Sequence, residues 1–453
     1  MAFRTTRRSA VAVSCGIGLS LVLAACGGDD GGDDGGGSAA GGDTDCAAYE
    51  QYGDLEGTTV TLYTSIVAPE DTGYIEAFKP FEECTGATVV YEGSKEFEAQ
   101  IVVRVQSGNP PDIALFPQPG LLQTVVRDTD AVVPAPEGVV SNVDEYYGED
   151  WKAYGTVDGT FYGAPNSSNV KSFVWYSPSM FEEAGYEVPQ TWDEMIEISD
   201  QIVADGGKPW CAGIGSGDAT GWPATDWLED VMLRENGPDV YDQWVNHDIP
   251  FNDPQVASAL ERVGSILKND DYVNGGLGDV TSIASTIFQD GGLPILQGQC
   301  WMHRQASFYT ANWPEGTNVA EDGDVYAFYF PPISEEFGKP VLVGSEFVAA
   351  FSDRPEVAAF QAYLSSPEFV NLRAQQGSFT SANSELDPAN VDTTIGQLSV
   401  EILQDENATI RFDGSDLMPG EVGSGSFWTE MTNWIANDKP DDQVLDAIEA
   451  SWP

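Results

Sequence analysis

Residues able to do covalent chemistry are few in this chain, and they are badly spaced for it. Only two histidines occur among 453 residues, His247 and His303. His303 lies beside a serine in "CWMHRQASF", but no GxSxG elbow accompanies it, so a nucleophilic triad is not supported. A carboxylate pair for glycoside hydrolysis can be drawn in many ways from 73 acidic residues, and that abundance makes any chosen pair uninformative. The stretch "GIGSGD" (213–218) lacks both the Walker lysine and the full GxGxxG spacing that cradle phosphates. "NDDYVNGGLGD" (269–279) has calcium-like oxygens without the EF-hand order and reads as a solvated turn. No CxxC occurs and the histidines are only two, so no metal site is expected; no cofactor is expected either.

Aromatic residues carry more. Twelve tryptophans are present, and several lie near Gly or Pro in predicted loops: Trp222 in "TGWPATDW", Trp301 in "GQCWMHR" and Trp428 in "GSGSFWTE". Isolated tryptophans are mostly core. A Gly-flanked tryptophan near amide and charged residues also suits a sugar, whose apolar ring faces pack on the indole while carboxylates, amides and guanidinium groups take its hydroxyls.

The elements that must position such residues read as α/β. "GTTVTLYTS" (57–65), "ATVVYEG" (87–93) and "PDIALF" (111–116) predict strands, each followed by a helical pattern of ~10–15 residues, which indicates a parallel sheet. Ligands of open sheets lie beyond the carboxyl ends of the strands. The loops to inspect are therefore Thr64-Ser65 onward, 92–97 and 116–120. Later stretches repeat the alternation: "SFVWYSPSMFEEAG", "KPWCAGIGS" and "GQCWMHR" supply strands, and "VLVGSEFVAAFS" a strand pair. Helices follow "PATDWLEDVMLREN", "DPQVASALERVGSILKN" and "PEVAAFQAYLSS", and the last two run from Phe427 to Asn437 and from Asp441 to Ser451. Thr191 and Glu194 match a capping box at the head of "TWDEMIEISDQIVADGG".

Length and charge bound the rest. Arg4, Arg7 and Arg8 precede a short apolar run, Val11 to Ala25, which reads as a secretory signal. Its end, Leu23-Ala24-Ala25-Cys26, resembles the lipobox of bacterial lipoproteins, which implies lipidation of Cys26; an ordinary cleaved signal with a chance cysteine is the alternative. The Gly/Asp spacer that follows cannot offset the entropy of ordering and reads as a flexible leash. The remaining ~400 residues suit two lobes, and no second apolar run is long enough to span a bilayer. A net charge of -54 excludes nucleic acid and anionic substrates as partners. Cys46, Cys84, Cys211 and Cys300 face an oxidising exterior and are expected to pair. Of three connectivities, Cys46–Cys84 with Cys211–Cys300 keeps each pair in one lobe.

"GDATGWPATDWLEDVMLR", followed some eighty residues later by "GQCWMHRQASF", resembles the carbohydrate-binding extracellular solute-binding proteins of ABC sugar importers (family 1), in their α-glucoside-type branch. "APNSSNVKSFVWYSP", "GSEFVAAFSDRPEVAAFQAYLSSPEF" and "MPGEVGSGSFWTEMTNW" extend the similarity over nearly all of 57–453. The resemblance implies a type II, maltose-binding-protein-like fold of two α/β lobes closing over a ligand cleft. Signal (1–25) and lipidated linker (26–56) would precede lobe one, 57–168 with 338–384, and lobe two, 169–337 with 385–453. The chain would cross near 166–170, near 334–341 and near Ser384. By similarity Trp428 and Trp222 stack the sugar, and Arg304 and Gln305 follow a strand that delivers a cleft residue. Glu96, Gln118, Asn166, Lys171, Ser345 and Glu346 occupy cleft-facing loops. Trp301 fits core as well as cleft, and Asp226 and Trp227 fit the sheet side of their helix. The implied protein is a monomeric, lipid-anchored receptor, not an enzyme. It would bind an α-linked oligosaccharide at the outer face of the membrane and pass it to ABC permease subunits. A receptor of the same fold for a polyamine or iron chelate, or a secreted glycoside-active enzyme, are the alternatives.

Overall fold

The computed structural model describes residues 45–453, apart from 277, 392, 404 and 406. The signal segment, Cys26 and the Gly/Asp spacer up to residue 44 lie outside the described residues. Part of the stretch expected as linker, up to residue 56, is ordered structure. Cys46–Tyr52 form a 3-10 helix with Tyr49 buried. Apolar contact explains this: Tyr52 meets Phe81 edge-on at 5.5 Å, and both Tyr49 and Tyr52 pack on Tyr363.

Strands β1 (Thr59–Thr64), β2 (Thr88–Gly93) and β3 (Ile113–Phe116) pair in parallel in the order β2-β1-β3. Helices Asp71–Thr85, Phe97–Gln106 and Pro119–Asp128 follow them in turn, as the alternating pattern requires. Strands β4 (Thr156–Val157) and β5 (Thr160–Phe161) make a small hairpin. The chain then moves from one lobe to the other. β6 (Gly163–Pro165) closes the edge of the first sheet, β7 (Asn169–Val170) enters a small separate sheet, and β8 (Phe173–Tyr176) lies in a second large sheet. That sheet gains β9 (Trp210–Cys211), β10 (Val273–Asn274), β11 (Met302–Arg304) and β12 (Tyr326–Tyr329), in the order β10-β9-β11-β8-β12. The return repeats the route. β13 (Lys339–Gly344) runs through the small sheet, and β14 (Phe347–Ala350) inserts between β3 and β6. β15 (Ala408–Phe412) completes the small sheet, β15-β13-β7.

Neither large sheet is wholly parallel. β14 is antiparallel to β3 and β6, and β8 to β11 and β12. These strands arrive directly from the small sheet, with no crossover helix to return the chain to the starting edge, so nothing imposes parallel direction on them. The first lobe buries Leu62, Leu115, Phe78, Phe81, Phe360 and Phe369 in one core. The second buries Trp210, Trp227, Trp244 and Phe427 in another. Disulfides join Cys46 to Cys84 and Cys211 to Cys300, the expected connectivity. Among the described residues no helix is long and apolar enough to cross a membrane.

Candidate ligand-binding site

A cavity opens beyond the carboxyl ends of β1, β2 and β3, and its empty space, including what opens to solvent, amounts to about 1170 Å³. Ser65–Val67 and Glu70 follow β1, Lys95 and Glu98 follow β2, and Pro117 and Gln118 follow β3. Trp222, Phe288, Phe308 and Trp428 wall the other side, and the crossover segments supply Ser167, Asn169, Lys171 and Gly344–Glu346 between them.

Trp222 is the first residue of the helix Trp222–Val245, directly after Gly221. Its ring packs edge-on against Phe288 at 5.0 Å. Gly221 has φ +116°, and a Cβ there would lie 2.2 Å from the carbonyl oxygen of Trp428. Both a backbone conformation foreign to L side chains and a close approach thus require glycine, and together they bring the two tryptophans to one wall. Trp428 begins the helix Trp428–Ala436 and is 2% exposed, with its indole Nε1 unpartnered. Trp301 packs instead on Phe181 and Tyr186, away from the cavity.

Beneath the cavity lies a buried charge cluster. Lys171 donates to Asp226 at 3.1 Å and to Asp413, with Asp416 at 3.7 Å. A Cβ on Gly344 would come within 2.8 Å of the Lys171 Cε, so glycine there leaves the lysine its path. Arg304 donates from Nε to Asp230 and from Nη1 to Asp226, each at 3.1 Å. Arg234 binds Asp230 and the carbonyls of Phe330 and Pro340. Glu229 accepts from the backbone N–H groups of Gly414 (2.8 Å) and Ser415 (3.2 Å). Three cations therefore face five carboxyls, and such an excess cannot remain fully ionised out of water. The carboxyls accordingly diverge. Burial, with repulsion from Asp413, raises Glu229 and Asp416 well above the usual range, and burial pushes Asp226 up to about 7 against Lys171 and Arg304. Burial acts the same way on Asp413, but Lys171 outweighs it and holds that carboxyl low. Burial likewise opposes charge on Lys171, which Asp226, Asp413 and Asp416 overcome, so it stays protonated. Asp226, Glu229 and Asp413 place ligand-type oxygens within 4.8 Å of one another; the cation held by two of them is the lysine.

On the first-lobe side, burial pushes Glu70 and Glu98 up to about 7. Glu70 accepts from Asn312 at 3.0 Å, and Glu98 from Gln118 at 3.2 Å. Arg373 lies 4.5 Å from the Tyr74 ring centroid and binds the Gly377 carbonyl, with its Nε unpartnered.

Of the residues expected from sequence, Trp222, Trp428, Gln118, Lys171, Ser345 and Glu346 line the cavity. Ser345 donates to the Ser167 carbonyl at 2.6 Å, and Glu346 accepts from the Ser167 hydroxyl. Four do not line it. Glu96 is exposed beside the mouth, where a hydrogen bond with Asp218 raises its carboxyl. Asn166 is consumed by the Tyr74 hydroxyl and the Leu364 carbonyl. Gln305 turns its side chain onto the Ala306 N–H, and Arg304 is spent on Asp226 and Asp230. These three support the wall rather than form it.

A family model described as bacterial extracellular solute-binding protein matches residues 65–370. The chain belongs to this family. It is 40% identical over 413 residues to the osmoprotective compounds-binding protein GgtB of Synechocystis, covering 90% of this chain and 96% of that one. It is 39% identical over 409 residues to the alpha-glucosides-binding periplasmic protein AglE of Rhizobium meliloti, covering 88% of each. Among solved structures, the bacterial solute receptor AcbH superposes with a TM-score of 0.74 at 19% identity, over 87% of this chain and 98% of that one. The fold is thus the two-lobe, maltose-binding-protein-like type expected from the sequence. Solute-binding proteins of this family serve ABC importers from outside the cytoplasm, as transport receptors and not enzymes.

Several residues lining the cleft of this solute-binding protein escaped sequence reasoning: Glu70, Glu98, Arg373, Asp413 and Asp416. Glu98 was within reach, since it lies one position past the flagged loop 92–97, in the first turn of the helix Phe97–Gln106. Asp413 and Asp416 follow β15, a strand the composition did not announce. Arg373 comes from a helix far along the chain and left no local signal.

Proposed function

We propose that this solute-binding protein is a lipid-anchored receptor that captures an α-glucoside or related oligosaccharide and delivers it to an ABC permease. The observation that carries the reading is the pairing of Trp222 and Trp428 on one cavity wall with unpartnered polar atoms of Glu98, Gln118, Gln289 and Trp428 around it. Indole faces suit the apolar faces of a pyranose, and buried groups awaiting partners suit its hydroxyls. The name of the relative AglE supports the α-glucoside assignment, and that of GgtB extends it to small osmoprotective solutes. In this reading Gln118, Lys171, Ser345 and Glu346 bond the sugar, Glu96 guards the rim, and Arg304, Gln305 and Asn166 hold the wall behind it. Lobe one comprises 57–168 with 338–384 and lobe two 169–337 with 385–453; they close over the ligand by bending at the crossover segments. The receptor acts as a monomer tethered through Cys26.

The test is tryptophan fluorescence of residues 46–453, stripped of bound solute and titrated with trehalose, maltose, sucrose, longer α-glucans and β-linked controls. A saturable change with one α-glucoside names the ligand. Silence across the panel removes the sugar reading and leaves a receptor for another solute, such as a polyamine or iron chelate. Release of reducing sugar on incubation would instead indicate an enzyme. Replacing Cys26 by Ser should shift the protein from the membrane fraction to the medium; retention in the membrane would exclude this anchor.

A further inference from the structure

Glu98 and Gln118 come from different elements and meet at the cavity. Glu98 lies in the first turn of the helix Phe97–Gln106, and Gln118 immediately precedes the helix Pro119–Asp128. The Gln118 Nε2 donates to the Glu98 Oε1 at 3.2 Å, which ties the two side chains together. Their other oxygens, Glu98 Oε2 and Gln118 Oε1, are both buried and both without a partner. Gln118 is 4% exposed, so solvent does not serve it. Two fixed acceptors at the wall of a cavity call for two donors carried on one group of the ligand, as on adjacent hydroxyls.

None of the charged groups around the pair bonds to either free oxygen. Glu96 and Lys95 precede Glu98 at the same helix start, Asp218 faces it from the loop before Trp222, and Asp416 from the helix Gly414–Leu417. Asp218 and Glu96 both act on Glu98 as repelling carboxylates. Lys95 is exposed, and Arg104 is held by Glu92.

We propose that Glu98 couples ligand binding to proton release, its Oε2 and the Gln118 Oε1 receiving two hydroxyl donors of the bound sugar. This rests on the sugar reading given above. Burial pushes Glu98 up to about 7, against its own backbone N–H and Gln118, so near neutral pH the empty site holds a proton on roughly half the molecules. Ligand hydroxyls donating to the pair stabilise the carboxylate, and the proton leaves to solvent on binding. Affinity therefore rises with pH through about 7.

The experiment is calorimetric titration with trehalose, maltose and sucrose at pH 6, 7 and 8, in phosphate and in Tris. For a saccharide that binds, the expected result is affinity about tenfold tighter at pH 8 than at pH 6. The binding heat should differ between the two buffers at pH 7 by the ionisation heat of a fraction of a proton. Glu98→Gln should abolish both effects. Glu335→Gln, at an exposed carboxyl outside the cavity lining, should retain them. Circular dichroism and thermal melting establish that each variant is folded. Saccharide binding that is flat with pH, or a pH dependence that survives Glu98→Gln, overturns the coupling and leaves the sugar reading intact. Absence of binding by all three saccharides at every pH overturns both.

Discussion

At the cavity wall Trp428 and Lys171 stand within one site but answer to different demands. Trp428 is almost wholly enclosed, yet its Nε1 lacks a partner, which supports the proposed ligand contact. Trp428→Ala should weaken binding of the cognate saccharide by about 1–3 kcal/mol, read by calorimetry; unchanged affinity would take the residue out of the site. Lys171 has a structural duty that outweighs any ligand contact. Lys171→Met leaves Asp413 without its cation and Asp226 with Arg304 alone, and should lower stability by about 3–5 kcal/mol in denaturant unfolding. A loss below about 1 kcal/mol would mean that the carboxyls simply take up protons. Trp222 was legible in the sequence from its neighbours Gly221 and Pro223, and Trp428 from the resemblance around "GSGSFWTE". The working carboxyls were not legible, since each is one among 73 and only burial separates Glu98 or Asp416 from the solvated majority.

Elements were read better than residues. The capping box written as Thr191 and Glu194 is formed, with the Thr191 hydroxyl accepting from the Glu194 N–H and the Glu194 carboxylate from the Thr191 N–H, both at 3.2 Å. Thr191→Ala should cost about 1 kcal/mol of stability and leave ligand affinity unchanged. Gly221→Ala is a sharper test of element placement. Its Cβ would strike the Trp428 carbonyl in a backbone conformation already foreign to alanine. It should therefore lower the melting temperature and weaken binding together, whereas a loss of stability alone would show that the two tryptophans keep their places. Alternation of apolar runs announced β1, β2 and β3 with their helices. It could not announce that β6, β8 and β14 run antiparallel to their neighbours, because strand direction depends on the route through the small sheet and not on local pattern. Short strands such as β7 and β9 carry too few residues for a period to show.

For the whole molecule, acidity and burial set the response to pH. Glu70, Glu98 and Asp226 are all pushed up to about 7, so the folded state holds protons that the unfolded chain has released above the ordinary carboxylate range. Their contribution to stability is present at low pH and is lost as pH rises through about 7. His303 works the other way. Burial brings it down to about 4, so its stabilising effect grows as pH climbs from about 4 to its ordinary 6.5. Three carboxyls outweigh one imidazole, and the ligand-free body should melt at a lower temperature at pH 8 than at pH 5 by calorimetry. A rise over that interval would show that the three carboxyls are ionised in the fold. The Cys46–Cys84 link, set into the first-lobe helix Asp71–Thr85, has a mechanical consequence. Any pull on the chain ahead of Cys46 is carried by covalent bonds into that helix, beside the Phe81 core, and bypasses the strands that join the lobes. Under tension the body hangs from one lobe, and the strands that join the two carry no load.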